Sequence, residues 1–365
     1  MSQPAILGID DLQAIITRIF LRAGLTPPQA DAVAGTITAG ERDGCKSHGI
    51  YRIESCLQTI RGGKVNPIAE PVLQDHGSAI IRVDAGDGFS PLAFQRGAPV
   101  LAERARKLGL AALTLNNCVH FSALWPEIEA LTGQGLAAMA MCPSYSAVAP
   151  WGGTRALLGT NPFAFGWPRR DGTAYVFDIA TSAAARGEVE LLHKAGKPIP
   201  EGWAIDPQGR PTTDPAAALK GALLPFGGHK GSAIATMIEL LSGPMIGDLN
   251  SREALTALGS LSMMPRHGEL ILAFDPAQFA AGRLDPIASA EAIIDGIAGQ
   301  GARLPSQRRY AARRLSETEG IRLSADEVAL LDRLDGTEGP EHNENSVGLR
   351  SDRQLPAMPA ATPTP

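Results

Sequence analysis

The apolar residues keep a helical period at both ends of this chain and a strand-like one between them. That change of texture most constrains the fold. Ile15, Ile16, Ile19, Phe20 and Leu21 share a helical face, and Thr26-Pro27-Pro28 suits the start of a second helix. Residues 9 to 62 are therefore expected to be helical. From Ala79 the pattern shifts: residues 80–84 and 110–115 read as strands, with a helix over 91–108 that stops near Gly109. Residues 136–141, 174–177 and 270–274 are further strand candidates, and 285–335 return to helical patterning. Strands alternating with helices predict an α/β fold. The expected division is a helical domain built from residues 1–75 and 285–335, an α/β cofactor- and substrate-binding domain over 76–284, and a disordered Pro-rich tail over 336–365.

Charge and composition exclude several classes. The net charge is −5 and no basic cluster suits a nucleic-acid face. No uncharged apolar run reaches the about 18 residues that a membrane span needs. Met1-Ser2-Gln3-Pro4 lacks the basic and apolar regions of a secretory leader, and the four cysteines show no CxxC spacing. Reduced thiols in a cytoplasmic protein are the expectation. Cys45 lies beside the motif described next, with nothing nearby to mark it as a nucleophile.

Behind the turn-prone Asp43-Gly44, the stretch Cys45-Lys46-Ser47-His48-Gly49-Ile50-Tyr51-Arg52 brings a hydroxyl, an imidazole and a guanidinium together. Ser47 and His48 can form a proton-transfer pair, since histidine titrates nearest neutrality. On a helix, Arg52 would share a face with His48 and could grip a substrate carboxylate by a two-pronged hydrogen bond. The same residues also suit an ordinary helix start, with Ser47 as cap and Arg52 in a surface ion pair. No G-x-G-x-x-G follows a strand. Gly227-Gly228-His229-Lys230-Gly231 can bring backbone amides to a phosphate, with Lys230 adding charge and a following helix aimed at the anion. A plain loop before a core helix has the same composition.

These blocks have an order. Arg42-Asp43-Gly44 with Ser47-His48-Gly49 is followed by Asn116-Asn117 with His120-Phe121, Gly159-Thr160-Asn161-Pro162, Asp178-Ile179-Ala180-Thr181-Ser182, Ala185-Arg186-Gly187 and the 227–231 block. In that order they resemble the malate/L-lactate dehydrogenase family that lacks a Rossmann fold, over roughly residues 5 to 335. Within it, His120-Phe121-Ser122-Ala123-Leu124-Trp125-Pro126 and the segments 197–202, 209–215 and 224–226 are similar to Δ1-piperideine-2-carboxylate/Δ1-pyrroline-2-carboxylate reductases.

The resemblance implies a non-Rossmann, mixed-sheet NAD(P)H-binding domain and a homodimer that reduces a cyclic imine carboxylate. NADPH is expected, with NADH as the competitor. Ser47, His48 and Glu188 would relay the proton; Arg52, Thr160 and His120 would bind substrate, although a buried structural role for His120 fits equally. The cofactor would meet Ser122, Ala123, Leu124, Trp125, Pro126, Asp178, Ile179, Ala180, Lys230, Gly231, Arg303, Arg308 and Arg309. Related enzymes carry Pro-Gly-Glu where this chain has Pro305-Ser306-Gln307, and the lost Glu favours an added ribose phosphate. At 188, oxoacid-reducing relatives carry Lys and imine reductases Asp. A carboxylate there suits an iminium cation, whereas a solvated helix-start Glu is the plain reading. The alternative function is an NAD(P)-dependent 2-oxoacid or 2-hydroxyacid dehydrogenase. A metal-dependent hydrolase on His48, His120 and His229 lacks supporting spacing, so no metal is expected.

Overall fold

The computed structural model describes residues 3–336; the tail expected to be disordered lies outside them except for Gly336, which closes the helix Ala325–Gly336. Seven strands form the central sheet, in the order Val72–Gln74, Ile80–Asp84, Leu110–Val119, Arg266–Phe274, Ala137–Met141, Phe163–Trp167 and Tyr175–Ile179. Ile80–Asp84 pairs parallel with Leu110–Val119, and the other neighbours are antiparallel. This mixed sheet is the α/β, non-Rossmann arrangement expected.

The parallel pair is joined by the helix Ser90–Leu108, which ends where Gly109 takes φ 86. Its buried Ala93, Phe94, Leu101 and Ala105 close on Ile81, Val83, Leu113 and Leu115. Trp125–Thr132 covers the neighbouring strands on Ile128 and Leu131. Gly166 makes that approach possible, since a Cβ there would stand 2.3 Å from Ile128 Cγ2.

A second core joins the chain ends. Leu12, Ile16, Phe20, Val33 and Ile37 of the first two helices pack with Ile53 and Leu57 of Tyr51–Arg61. Ile321, Leu323, Leu331 and Leu334 complete the cluster. The short strand Ile321–Leu323 pairs antiparallel with Ala5–Leu7. Helical patterning hid both strands, because three residues give too short a window for a period of two. Not all of 285–335 joins this cluster: Pro286–Ala298 is tied to the far edge of the sheet by Arg169–Glu291 at 2.7 Å.

A third unit was not legible in the sequence. Ala204–Ile205, Pro211–Thr212 and Ala222–Leu223 form a small sheet, with Val189, Ile199 and Ala218 in its core.

Leu323→Ala is expected to cost about 2–5 kcal/mol, because it empties buried volume where the two chain ends meet. Amide exchange at Ile6 and Ile16 should rise together. Loss of protection at Ile6 alone would mean that the strand pair is an appendage to the helical core.

Candidate active site

The helix Pro27–Arg42 stops at Asp43, and one tight turn over Lys46–His48 precedes the helix Tyr51–Arg61. His48 and Arg52 therefore do not share one helix as their spacing suggested. Gly49 breaks the run with φ −94 and ψ −140. The crossing is close: a Cβ on Gly40 would stand 2.5 Å from His48 O, and one on Gly49 would stand 2.0 Å from Glu41 Oε1. Glu41, buried beneath the turn, accepts from Ile50 N at 2.8 Å and pairs with Lys46 Nζ at 2.5 Å.

The turn sets Ser47 Oγ 3.0 Å from His48 Nδ1. The His48 ring stands edge-on to Trp125, centroids 6.1 Å apart, and Trp125 Nε1 donates to Asp43 Oδ2 at 3.1 Å. Burial, and then the charge of Arg52, push His48 down to about 3. Its imidazole is neutral across the neutral pH range. Arg52 is thus electrostatically next to His48 despite the broken helix. Its Nε is buried and has no hydrogen-bond partner among the described residues.

The carboxylate at this rim is Glu190. It accepts from Tyr51 Oη at 3.1 Å and pairs with Arg186 Nε at 3.4 Å. Tyr145, its phenol raised first by burial, feels the charges of Arg186, Arg52 and Glu190. Glu188 is exposed in the first turn of Arg186–Lys194, and among the described residues no hydrogen bond or ion pair joins it to Ser47 or His48. The reason is helical phase: residues 186 and 190 share a face one turn apart, and 188 points elsewhere. Thr160 contributes its carbonyl, which accepts from Thr181 N at 2.8 Å.

His120 is buried behind this group. Its charged form is disfavoured by burial first, then by His267, His48 and Arg52. Its Nε2 lies 3.6 Å from Glu269 Oε2. His120 with Cys142 and His267, and His120 with Glu127 and Glu269, form two buried sets of ligand-type atoms, each within 4.8 Å. Spacing could not reveal them, because they come from different strands and a helix.

The segment after His120 divides by role. Leu124 and Trp125 are buried in the main core, and Asp178 caps the helix start, accepting from Leu124 N at 2.8 Å and Trp125 N at 3.1 Å. The side chains of Leu124, Trp125 and Asp178 are thus committed to the scaffold. Ala123 is also in that core, Pro126 and Ala180 are half-buried and Ile179 is exposed. Ser122 Oγ is buried without a partner among the described residues, as a hydroxyl that a ligand satisfies would be.

Gly227 and Gly228 take φ 56 and 63, and Gly231 faces Phe226 O, which a Cβ would meet at 2.1 Å. The helix His229–Ser242 starts there with Lys230 exposed. A groove of about 620 Å³ beside it is lined by Trp151, His229, Ser232 and Met237.

The three arginines separate. Arg303 and Arg308 are exposed. Arg309 is buried against Trp125, its guanidinium 4.9 Å from the ring, and pairs with Glu129 at 2.7 Å. It is therefore a scaffold residue, not an open phosphate contact. Ser306 holds φ 68, a left-handed conformation that favours glycine. Leu304, Pro305, Gln307, Tyr310, Arg169 and Arg314 surround a nearby cavity of about 330 Å³.

Several carboxylates went unnoticed in the sequence. Buried Glu239 accepts from Gly159 N, Asn161 Nδ2 and Ser251 N at 2.9–3.2 Å. Asp248 accepts from Asn117 N at 2.8 Å and Asn116 Nδ2 at 3.2 Å. These bonds explain the Asn116-Asn117 and Asn161 motifs as structural.

The malate/L-lactate dehydrogenase family model matches residues 7–332. The chain belongs to that family. Among its members, the Δ1-pyrroline-2-carboxylate reductase of Agrobacterium fabrum is 62% identical over 336 residues, 92% of this chain and 97% of the relative. The Δ1-pyrroline-2-carboxylate/Δ1-piperideine-2-carboxylate reductase of Pseudomonas aeruginosa is 52% identical over 316 residues, 86% of this chain and 95% of that one. The solved Δ1-piperideine-2-carboxylate reductase of Pseudomonas syringae superposes with a TM-score of 0.87 at 38% identity, covering 90% of this chain and 99% of that chain.

Two pH effects follow from this family member's site. Asp43 is held below the usual carboxylate range by Arg313 and Arg42, against its burial. Its contribution is full above the unfolded value and is lost as pH falls through the folded one. His48, neutral when folded, costs stability once pH falls below its unfolded value of about 6.5. Asp43→Asn should cost about 3–5 kcal/mol at pH 7. His48→Gln should flatten the fall in urea midpoint between pH 6.5 and 4; an unchanged slope would contradict a neutral buried imidazole.

Proposed function

We propose that this protein reduces a cyclic imine carboxylate, of the Δ1-pyrroline-2-carboxylate or Δ1-piperideine-2-carboxylate kind, to L-proline or L-pipecolate with NADPH. The observation that carries the reading is Arg52: a half-buried guanidinium with an orphaned Nε, beside a neutral His48, in a chain 62% identical to a Δ1-pyrroline-2-carboxylate reductase.

Arg52 binds the substrate carboxylate. That anion offsets the repulsion that Arg52 exerts on a charged His48, so substrate binding raises the basicity of the imidazole. Ser47 Oγ, 3.0 Å from His48 Nδ1, orients the ring toward the substrate nitrogen. Tyr51, held by Glu190, closes the rim beside Arg52. We assign the rim carboxylate to Glu190, with Glu188 as the competing position. His120 lies behind the substrate, and Thr160 is retained as a contact to it.

The residues present fit a dinucleotide. Ser122 Oγ supplies a hydroxyl with no partner among the described residues, and Gly227 faces open space before a helix start carrying Lys230. Exposed Arg303 and Arg308, with Gln307 in place of the relatives' Glu, support a ribose phosphate and hence NADPH over NADH. The reduced nicotinamide, when bound, supplies the hydride to the imine carbon. We also propose a homodimer in the cytoplasm. Free Cys45, Cys56, Cys118 and Cys142 suit a reducing compartment, and among the described residues no helix is long and apolar enough to cross a membrane.

NADPH oxidation should accompany reduction of the two imines and not of pyruvate or oxaloacetate. Arg52→Lys should raise KM on the order of 10–100-fold, because it loses a charge-assisted two-pronged contact. Glu190→Gln should raise KM more than Glu188→Gln does. Turnover of oxoacids alone would overturn the assignment in favour of a 2-hydroxyacid dehydrogenase.

A further inference from the structure

Behind His120 lie two carboxylates that the reading above does not use. Glu269, on the central strand Arg266–Phe274, is fully buried, and among the described residues its oxygens meet no donor other than the carboxyl of Glu127. Glu127, from the helix Trp125–Thr132, is buried with it and has an unmatched Oε2. These carboxylates and His120 present ligand-type atoms within 4.8 Å of one another. Among the described residues no Lys or Arg forms an ion pair with either Glu; the one ionic neighbour is His120, whose Nε2 is 3.6 Å from Glu269 Oε2. The other titratable groups acting on the pair are Asp178, Cys118 and Cys142, and none of these supplies positive charge.

Two ionised carboxylates cannot coexist here without a cation, since each has left water and repels the other. With no Lys or Arg paired to either among the described residues, a proton on one of them removes that repulsion. We propose that Glu127 and Glu269 form a proton reserve for the site and deliver its proton through His120. This rests on the imine-reductase reading, in which the substrate nitrogen ends with one more hydrogen than it began. His48 and His120, both neutral at working pH, can relay a proton but must be supplied with it.

The step balances. The Glu269 O–H bond breaks as a proton passes to one nitrogen of His120. The N–H on the other ring nitrogen breaks as that proton passes to the imine nitrogen, and hydride reaches the adjacent carbon. The proton left on Glu127 then lies between the two carboxyls; refilling reverses the relay, a solvent proton entering at the substrate-side nitrogen of His120 as the proton on its other nitrogen returns to Glu269. The electrostatics agree with this placement: burial raises Glu269 to about 7, against the hydrogen bond from Glu127, and burial together with Glu269 and Asp178 holds Glu127 well above the carboxylate range. Glu269 and Glu127 act through His120 and are positioning residues, not groups that touch substrate.

Infrared spectra of the full-length protein, with and without NADPH, test the reserve directly. A protonated-carboxyl band should persist at pH 8, change frequency in Glu127→Gln or in Glu269→Gln, and vanish when both are replaced by Gln. The pH profile of kcat with Δ1-pyrroline-2-carboxylate should bend near neutrality. In Glu269→Gln it should flatten and fall on the order of 10²-fold, with NADPH affinity unchanged. If that variant does not fold, Glu127→Gln carries the same test. Absence of the band at pH 7, a stoichiometric metal by elemental analysis, or an unaltered pH profile in a folded variant would overturn the proposal. Should no imine be turned over, the infrared result still decides whether the reserve exists, while the proposed function alone fails.

Discussion

Asp43 is the interaction on which the rest of the site depends. Buried at the end of an N-terminal helix, it accepts from Trp125 of the sheet-covering helix and pairs with Arg313 of the C-terminal helix Gln307–Glu319. Three segments distant in sequence converge on one carboxylate. Arg313 also reaches Glu129 at 2.6 Å, and Arg309 joins the same Glu129 while stacking on Trp125. The network is nearly balanced in charge and almost dry, which makes removal of one partner far more costly than its replacement as a set. Through Trp125 it fixes the surface against which the His48 ring stands, so the chain ends are coupled to the reacting centre by contact.

The family's sequence blocks therefore contain two kinds of residue. Asp43, Asn116, Asn117, Asn161 and Asp178 spend their polar atoms on neighbouring backbone and side chains. Ser47, Arg52 and Ser122 keep polar atoms in reserve: Ser47 meets only the adjacent imidazole, and the other two have buried atoms with no partner among the described residues. A buried polar atom without a partner costs free energy, and a fold tolerates it where a ligand will satisfy it. That distinction separates scaffold from site better than membership of a motif does.

Much of the architecture was legible because long elements declare themselves by period. The helix after residue 90, its stop at Gly109 and the strands flanking it follow from apolar spacing and one left-handed glycine. The strands Ala5–Leu7 and Ile321–Leu323, and the small sheet of two-residue strands, carry no such signal; they are held by partners far away in sequence. The same limit applies to the site. Ser47, His48 and Arg52 are neighbours in the chain, so the sequence joined them, although Gly49 breaks the helix assumed to do so. Glu188 is singled out by motif position, whereas helical phase sets Glu190 beside Arg186 and Tyr51. Glu127 and Glu269 stand over 100 residues apart and meet only because a helix crosses the central strand.

The electrostatic layout has a direction. At the rim stand Arg52 and Arg186, opposed in the described residues by Glu190 alone. Behind His120 the sign reverses, with Glu127, Glu269 and Asp178 in a dry interior without a guanidinium against the first two. A carboxylate substrate is drawn to the first region. Histidines occupy the boundary, and burial keeps both His48 and His120 neutral in the absence of an anion. A neutral imidazole can accept on one side and donate on the other, whereas an imidazolium can only donate. The depressed basicity of these rings thus leaves each able to accept and to donate between two regions of opposite charge.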